Sequence, residues 1–239
     1  MPRRASGTSA RGRVLAGGER GEVGSEQQMC ARNTRLAAPA RLLLVRHGQI
    51  AANVDRRWHG STDEDLTDLG RDQALRVADH LARAYANALA VYTSPAKRAR
   101  NTAEPIAQAF GVPLVLEAGL VEYGIGVLEN ESYADLLERH RFFEQAEADL
   151  AWAPSGGESL GGVGERVVAA WRTIALGHAG NAVVVVSHGA AIGAGLAALL
   201  HDDPRGWPRY HVRNASVTEV ELGPVPRVVT FDVVDHLAG

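Results

Sequence analysis

The chain has 239 residues, of which 46% are hydrophobic, 22% charged and 5% aromatic, the balance of a soluble globular protein long enough to bury a sizeable core. A net charge of −3 and a pI of about 6.3 give no reason to expect a nucleic-acid partner. No apolar run reaches spanning length, so neither a transmembrane helix nor a membrane partner is expected. The single cysteine, Cys30, excludes an internal disulfide framework and fits a reducing compartment, hence a cytoplasmic location.

Charge is unevenly spread. Residues 1–40 hold seven arginines and three glutamates, a net +4, which leaves −7 for the remainder. This Arg/Gly-rich arm shows no helical or strand period. It reads as a disordered tail, or as sequence upstream of a true start at Met29, in preference to a targeting or anion-binding arm.

Leu42-Leu43-Leu44-Val45 is a short apolar run that reads as a buried strand, and it stops at Arg46-His47-Gly48. An irregular stretch follows through Asp65 and contains Arg56, Arg57, Trp58, His59 and Gly60. Thr67 caps a helix to about Ala86, whose inward face is expected to hold Leu69, Gln73, Ala74, Val77, Ala78 and Leu81. Leu89–Thr93 is a second buried strand. Ser94-Pro95 starts a helix, with Ser94 as its cap, that runs to Ala109 before Gly111 and Pro113.

Leu114–Leu116 is a third strand, and a glycine-bearing loop from Glu117 to Asn130 carries Glu122. Ser132 caps one helix expected to continue to about Asp149, and a turn-rich Trp152–Ser159 precedes another to Gly177. Ala182–Ser187 is the clearest buried strand. It ends in His188-Gly189, and a helix of small residues follows. Two β-rich runs, 215–222 and 227–234, flank a Gly-Pro turn and read as a hairpin near a sheet edge. Alternation of strands and helices predicts an α/β fold, a three-layer α/β/α sandwich with a mostly parallel central sheet, with 117–160 inserted over its edge.

In an open parallel sheet, ligands gather beyond the carboxyl ends of the strands. That rule places Arg46, His47, Ser94, Arg98 and His188 at one edge, near helix N-termini whose free N–H groups attract anions. Taken singly, His47 and His188 are ordinary strand-end histidines, Arg98 a solvated helix arginine and Glu122 a loop carboxylate. Their convergence carries the argument. Two guanidiniums suit an oxyanion with several oxygens, phosphate first among them. A metal reading of His47 and His188 is disfavoured by the adjacent arginines and by the lack of an HxH or HxxxH pair.

These residues resemble a known family. Leu44-Val45-Arg46-His47-Gly48-Gln49, then Asn53, Leu66-Thr67-Asp68-Leu69-Gly70, Ser94-Pro95-Ala96-Lys97-Arg98 through Thr102-Ala103, Glu122, Gly156-Gly157-Glu158-Ser159, Val186-Ser187-His188-Gly189 and Asn214-Ala215-Ser216 are similar, in that order, to the histidine phosphatase (phosphoglycerate mutase-like) superfamily. The resemblance covers about Arg41 to Leu237 and implies a histidine phosphatase domain over 41–239. It implies His47 as nucleophile forming a phosphohistidine, Glu122 as general acid, and Arg46, Arg98 and His188 around the phosphoryl oxygens. Asn53 and the N–H of Gly189 are further donors. No cofactor is implied, and the partner is a small phosphorylated metabolite. A homodimer is compatible with it.

Three positions depart from the family pattern: Ile50 where Thr or Ser is usual, His59 before Gly60, and Asp65 in place of proline. The mutase pattern around the acid is absent, the chain reading Glu122-Tyr123-Gly124-Ile125-Gly126. A phosphomonoester hydrolase is therefore expected, ahead of mutase-type transfer or a non-catalytic phosphoester-binding module. Arg56, Arg57, Trp58, His59, Gly60 and the 117–160 segment are expected to choose the substrate. For Arg56 and Arg57 a solvated loop, and for Trp58 core packing, is the competing reading.

Overall fold

A computed structural model describes residues 38–85 and 87–238, so the arm expected over 1–40 falls almost wholly outside the described residues. Six strands form one sheet: β1 (Ala40–Arg46), β2 (Ala88–Thr93), β3 (Leu114–Leu116), β4 (Ala182–Ser187), β5 (Val217–Leu222) and β6 (Arg227–Val233), in the order β3-β2-β4-β1-β5-β6. The pairs β3/β2, β2/β4 and β4/β1 are parallel. β5 runs antiparallel to both β1 and β6, which makes the expected terminal hairpin. The mostly parallel sheet is thus observed, with β5 its one reversed strand.

Period-two alternation divides β1 and β4 between two cores. Leu42, Leu44, Val183 and Val185 face α6 (Leu160–Gly177) and α7 (Gly189–His201), where Val163, Val167, Trp171 and Leu196 are buried. Leu43, Val45, Val184 and Val186 face α2 (Asp68–Ala84) and α3 (Lys97–Phe110), with Val77, Leu81, Ala99 and Ile106. This is the three-layer sandwich. A one-turn helix, α1 (Ala51–Val54), follows β1, and α4 (Tyr133–Glu138) and α5 (Phe142–Ala148) lie in the 117–160 segment.

Strand register sets up the site. Arg46 pairs with Ser187, and Thr93 pairs with Val186, so the carboxyl ends of β1, β4 and β2 emerge side by side. The chain leaves β1 pressed against the start of α2. A Cβ on Gly48 would lie 2.4 Å from the Gly70 carbonyl oxygen, and one on Gly70 would lie 2.1 Å from that of Gln49. Only glycine at both positions permits this approach, which the Thr67 N–H bond to the Gln49 carbonyl closes at 2.9 Å.

Three expectations change. Leu69 is 51% exposed, because the buried stripe of α2 runs through Gly70, Ala74, Val77, Ala78 and Leu81 instead. The residue at the N-cap of α3 is Ala96, not Ser94, whose hydroxyl is engaged elsewhere. The helix expected over 132–149 is two helices: the first stops at Glu138 with Arg139 as its cap, and Arg141, left-handed (φ 48°), is the N-cap of the second. Beyond α7, Pro204–Tyr210 add a 3-10 helix packed on it.

The close contact at Gly70 makes a quantitative expectation. Gly70→Ala should lower unfolding free energy by about 1–3 kcal/mol, the range for a side chain forced into filled space. Gly177→Ala, at the open end of α6 where an added Cβ meets nothing within 4 Å, should leave it unchanged or slightly higher. Urea unfolding of the two variants checks this.

Candidate active site

The last residue of β1 and the residue after it present Arg46 and His47. His47 is buried, and its Nδ1 sits 2.7 Å from the Gly48 carbonyl oxygen. A carbonyl can only accept, so Nδ1 carries the hydrogen and the Nε2 lone pair is left free. Burial first, then the charges of Arg98 and Arg46, hold the imidazole well below its ordinary pKa. His47 is therefore a neutral base with a defined tautomer. The turn that presents it is tied down by the Gly48 N–H to Thr102 Oγ1 at 3.0 Å, and by the Asn214 side-chain amide to the His47 carbonyl at 3.0 Å.

His188, after β4, faces His47 edge-on, with ring centroids 5.2 Å apart. Arg98 Nε donates to its Nδ1 at 3.1 Å, and its Nε2 meets Ser94 Oγ at 2.8 Å. A guanidinium is an obligate donor, so Nδ1 accepts and the His188 hydrogen resides on Nε2. Burial, then Arg98, His47 and Arg46, push this imidazole also well below its ordinary value.

Arg98 is fully buried. Besides His188 it donates to the carbonyls of Thr62 (2.7 Å), His59 (3.0 Å) and Gly60 (2.9 Å). Its position is thus set by the loop before α2, and four hydrogen bonds hold it. Arg46 is held less completely. Its Nη1 donates to the Val212 carbonyl at 2.7 Å, while its buried Nε has no acceptor among the described residues and remains a donor for an oxyanion. Burial lowers the pKa of both guanidiniums. Gly189, at the start of α7, lets that helix approach Arg46: an added Cβ would lie 3.3 Å from the guanidinium.

Glu122 joins them from the loop after β3. Its Oε1 accepts from the N–H groups of Tyr123 (2.8 Å) and Ala191 (2.8 Å), and its Oε2 from that of Ala190 (3.2 Å). The N–H groups of α7 that the anion-site argument left free are therefore occupied by this carboxylate. Asn53, on α1, uses its Oδ1 to accept from the Ile50 N–H and the Asn214 amide. Its own amide hydrogens have no acceptor among the described residues, which suits a donor role. No group of three or more metal-ligating side chains occurs among the described residues.

The structure separates the residues expected to choose the substrate. Trp58 is 3% exposed and lies among Tyr123, Tyr133, Phe142, Phe143 and Trp207, with its indole N–H on the Tyr123 carbonyl at 3.0 Å. It is a core residue that supports the wall under Glu122, which corrects its assignment as a substrate contact. Arg57 is exposed and bonded to the Asn130 carbonyl, and Arg56 is exposed in a left-handed turn. His59 and Gly60 serve through their carbonyls on Arg98, and the Gly60 N–H donates to Glu129 at 2.8 Å. Ile50, where a hydroxyl is usual, is buried with Ala52, Leu66 and Ala74 in a small apolar cluster. Sequence reasoning gave no role to Thr102, Glu158, Arg166 and Asn214, and read Ser94 as a helix cap. Of these, all but Arg166 lie within quoted motifs, which was the available signal.

Residues 42–230 match the family model described as the histidine phosphatase superfamily (branch 1). The chain belongs to that superfamily. It is 32% identical over 203 residues to a metal-independent phosphoserine phosphatase of Arabidopsis thaliana, covering 82% of this chain and 83% of that protein. It is 38% identical over 154 residues to a bifunctional protein of Mycobacterium tuberculosis, covering 63% of this chain. The chain spans 41% of the length of that protein and of the other first curated relatives it matches. The fold superposes on a phosphoserine phosphatase from Entamoeba histolytica, solved with 3-phosphoglyceric acid, with a TM-score of 0.74, 27% identity and coverage of 83% and 99% of the two chains. No described helix is long and apolar enough to cross a membrane.

Two buried imidazoles held neutral set a pH dependence. Unfolded, each takes up a proton near pH 6.5, whereas folded it does so only well below that. The unfolded state then binds more protons, so stability falls as pH drops below about 6.5, each histidine contributing up to about 1.4 kcal/mol per pH unit. Between pH 6.5 and 5, His188→Asn should show a shallower loss than the parent, read as the urea midpoint against pH.

Proposed function

We propose that this chain is a phosphomonoester hydrolase acting on a small phosphorylated metabolite through a phosphohistidine. The observation that carries this reading is His47 itself, a buried neutral imidazole whose Nδ1–H is fixed on the Gly48 carbonyl, beside the guanidiniums of buried Arg98 and half-buried Arg46. His47 Nε2 attacks phosphorus as the ester oxygen departs. Arg46 and Arg98 supply fixed positive charge to the phosphoryl oxygens, with Asn53 and the Gly189 N–H as further donors, while His188, its one hydrogen directed at Ser94, holds the Arg98 guanidinium beside them. Glu122, protonated for this step, gives its proton to the leaving oxygen. As carboxylate it then takes a proton from the water that attacks the phosphohistidine, which restores both groups.

Hydrolysis is preferred to mutase transfer because the segment after Glu122 supplies no basic residue; Tyr123 and Ile125 are buried in the core. The metal-independent phosphoserine phosphatase relative and the structure solved with 3-phosphoglyceric acid support a small phosphorylated substrate. On the same reading residues 41–239 form the phosphatase domain and the 117–160 segment shapes its mouth. A cytoplasmic setting fits the single cysteine.

Purified protein should release phosphate from p-nitrophenyl phosphate in the presence of a chelator, and His47→Ala should reduce the rate about 10⁴-fold or more. Quenching in alkaline detergent should trap a phosphoenzyme, stable to base and lost on acid treatment, in the parent only. Interconversion of phosphoglycerates without phosphate release would replace the hydrolase reading by the mutase one. Phosphoester binding without turnover in either protein would replace it by a binding module.

A further inference from the structure

Glu122 performs both proton transfers in the reading above, yet it lies on irregular chain between the 3-10 turns Ala118–Leu120 and Gly126–Leu128. No helix or strand fixes its backbone. Arg166, in the second turn of α6, reaches under this loop. Its Nη1 donates to the carbonyls of Val121 (2.8 Å) and Gly119 (3.2 Å), and its Nη2 to the Glu122 carbonyl (3.0 Å). Its remaining donors hold Glu158 in a two-point ion pair, Nε to Oε1 at 2.7 Å and Nη2 to Oε2 at 2.8 Å.

Glu158 completes the grip from the other side. Its Oε2 accepts the Gly124 N–H at 3.2 Å, and its own N–H donates to the Gly124 carbonyl at 2.8 Å. Burial pulls the Glu158 carboxyl up, but the Arg166 bonds and charge outweigh it and leave its pKa below the ordinary glutamate value. The surrounding glycines show how closely the segments are pressed. A Cβ on Gly157 would lie 2.9 Å from the Gly124 carbonyl oxygen, and one on Gly119 would lie 2.7 Å from Ala170 Cβ on α6. A planar five-donor fork reads several carbonyls and a carboxylate at once, which lysine could not do.

We propose that the Glu158–Arg166 pair is the positioning device for Glu122, fixing the loop backbone on both sides so that the carboxyl group meets the leaving oxygen. Neither residue touches the phosphoryl group. The proposal rests on the acid role of Glu122, and its test separates the two.

A general acid matters for an alkoxide leaving group and little for p-nitrophenolate, which departs without a proton. Kinetics with glycerol 2-phosphate and p-nitrophenyl phosphate therefore isolate the proton transfer. Because Glu122 also serves the hydrolysis step that both substrates share, the comparison is made in kcat/KM, which reports only the steps through phosphoenzyme formation: Arg166→Met should lower it about 10–100-fold for glycerol 2-phosphate and less than about threefold for p-nitrophenyl phosphate. Glu122→Gln should show the same selectivity more strongly, and the double variant should be no worse than Glu122→Gln alone. Glu158→Gln should show it more weakly; if Arg166→Met does not unfold cooperatively, Glu158→Gln and Arg166→Lys carry the comparison. Equal loss on both substrates, or a loss that multiplies with that of Glu122→Gln, overturns the positioning role and leaves the acid intact. Absence of selectivity in Glu122→Gln itself overturns the acid reading, and the proposal with it.

Discussion

The site depends on one buried cation. Arg98 has no exposed surface, and it meets three backbone carbonyls and His188 Nδ1 rather than a carboxylate. A guanidinium held this way has no ion-pair partner in hydrogen-bond contact. Partial dipoles of peptide groups stabilise it, and the carboxylates whose charge reaches it, Glu122 first and then Asp63, Glu129 and Glu64, do so without touching it. Its field then does two things. Burial first, and then this field with that of Arg46, hold His47 and His188 neutral, as a nucleophile at His47 requires, and the field leaves positive charge where a phosphoryl group would sit. A carboxylate partner in place of the carbonyls would have raised both imidazoles and removed the attraction for an anion. The carbonyls come from His59, Gly60 and Thr62. The loop before α2 is therefore part of the electrostatics even though its side chains point to other tasks.

The strands and their order of chemistry were legible in the sequence because each catalytic group follows an apolar run. Leu42–Val45 and Ala182–Val186 are buried on both faces, so they read as parallel-sheet strands, and the residues that end them are brought to one edge. What was not legible depends on single-residue backbone conformation or on contacts distant in sequence. The division of the 132–149 helix rests on the left-handed Arg141, which no propensity announces. The fate of Ser94 depends on His188, 94 residues away, arriving within hydrogen-bond distance of its hydroxyl. Trp58 followed burial rather than its neighbours: an aromatic beside two exposed arginines reads as rim, but five other aromatic side chains collect around it.

Ile50 shows how a departure from a family pattern can be structural. A hydroxyl at this place would serve as a donor near the phosphate. Instead the residue packs with Ala52, Leu66 and Ala74, and pairs through its backbone with Leu66. Its N–H is bonded to Asn53 Oδ1, and Asn53 is bonded in turn to Asn214. The apolar side chain thus anchors the short α1 helix on which Asn53 is carried. Asp65, in place of proline, achieves a related end by accepting from the Leu66 N–H and from Asn101, which restrains the entry to α2 through hydrogen bonds rather than a ring. Both changes alter how the loop is held while leaving His47, Arg46 and Arg98 where they are.

The two halves of the mechanism are supported differently. His47, Arg46 and His188 hang from strand ends whose register is set by the sheet, so their mutual geometry follows from β1 and β4 pairing in parallel. Glu122 has no such support and reaches α7 across a loop. Its carboxylate oxygens meet the N–H groups of Ala190 and Ala191, which belong to the helix that His188 begins. The acid and the phosphate pocket thus share one helix terminus. Any displacement of that terminus moves both together, whereas a displacement of the loop moves the acid alone. Precision at Glu122 must therefore come from side chains, and the aromatic cluster around Trp58 below and Arg166 behind are the groups that contact its backbone neighbours. On the proposed reading, phosphate affinity would be a property of the sheet, and proton transfer to the leaving group a property of how well one loop is held.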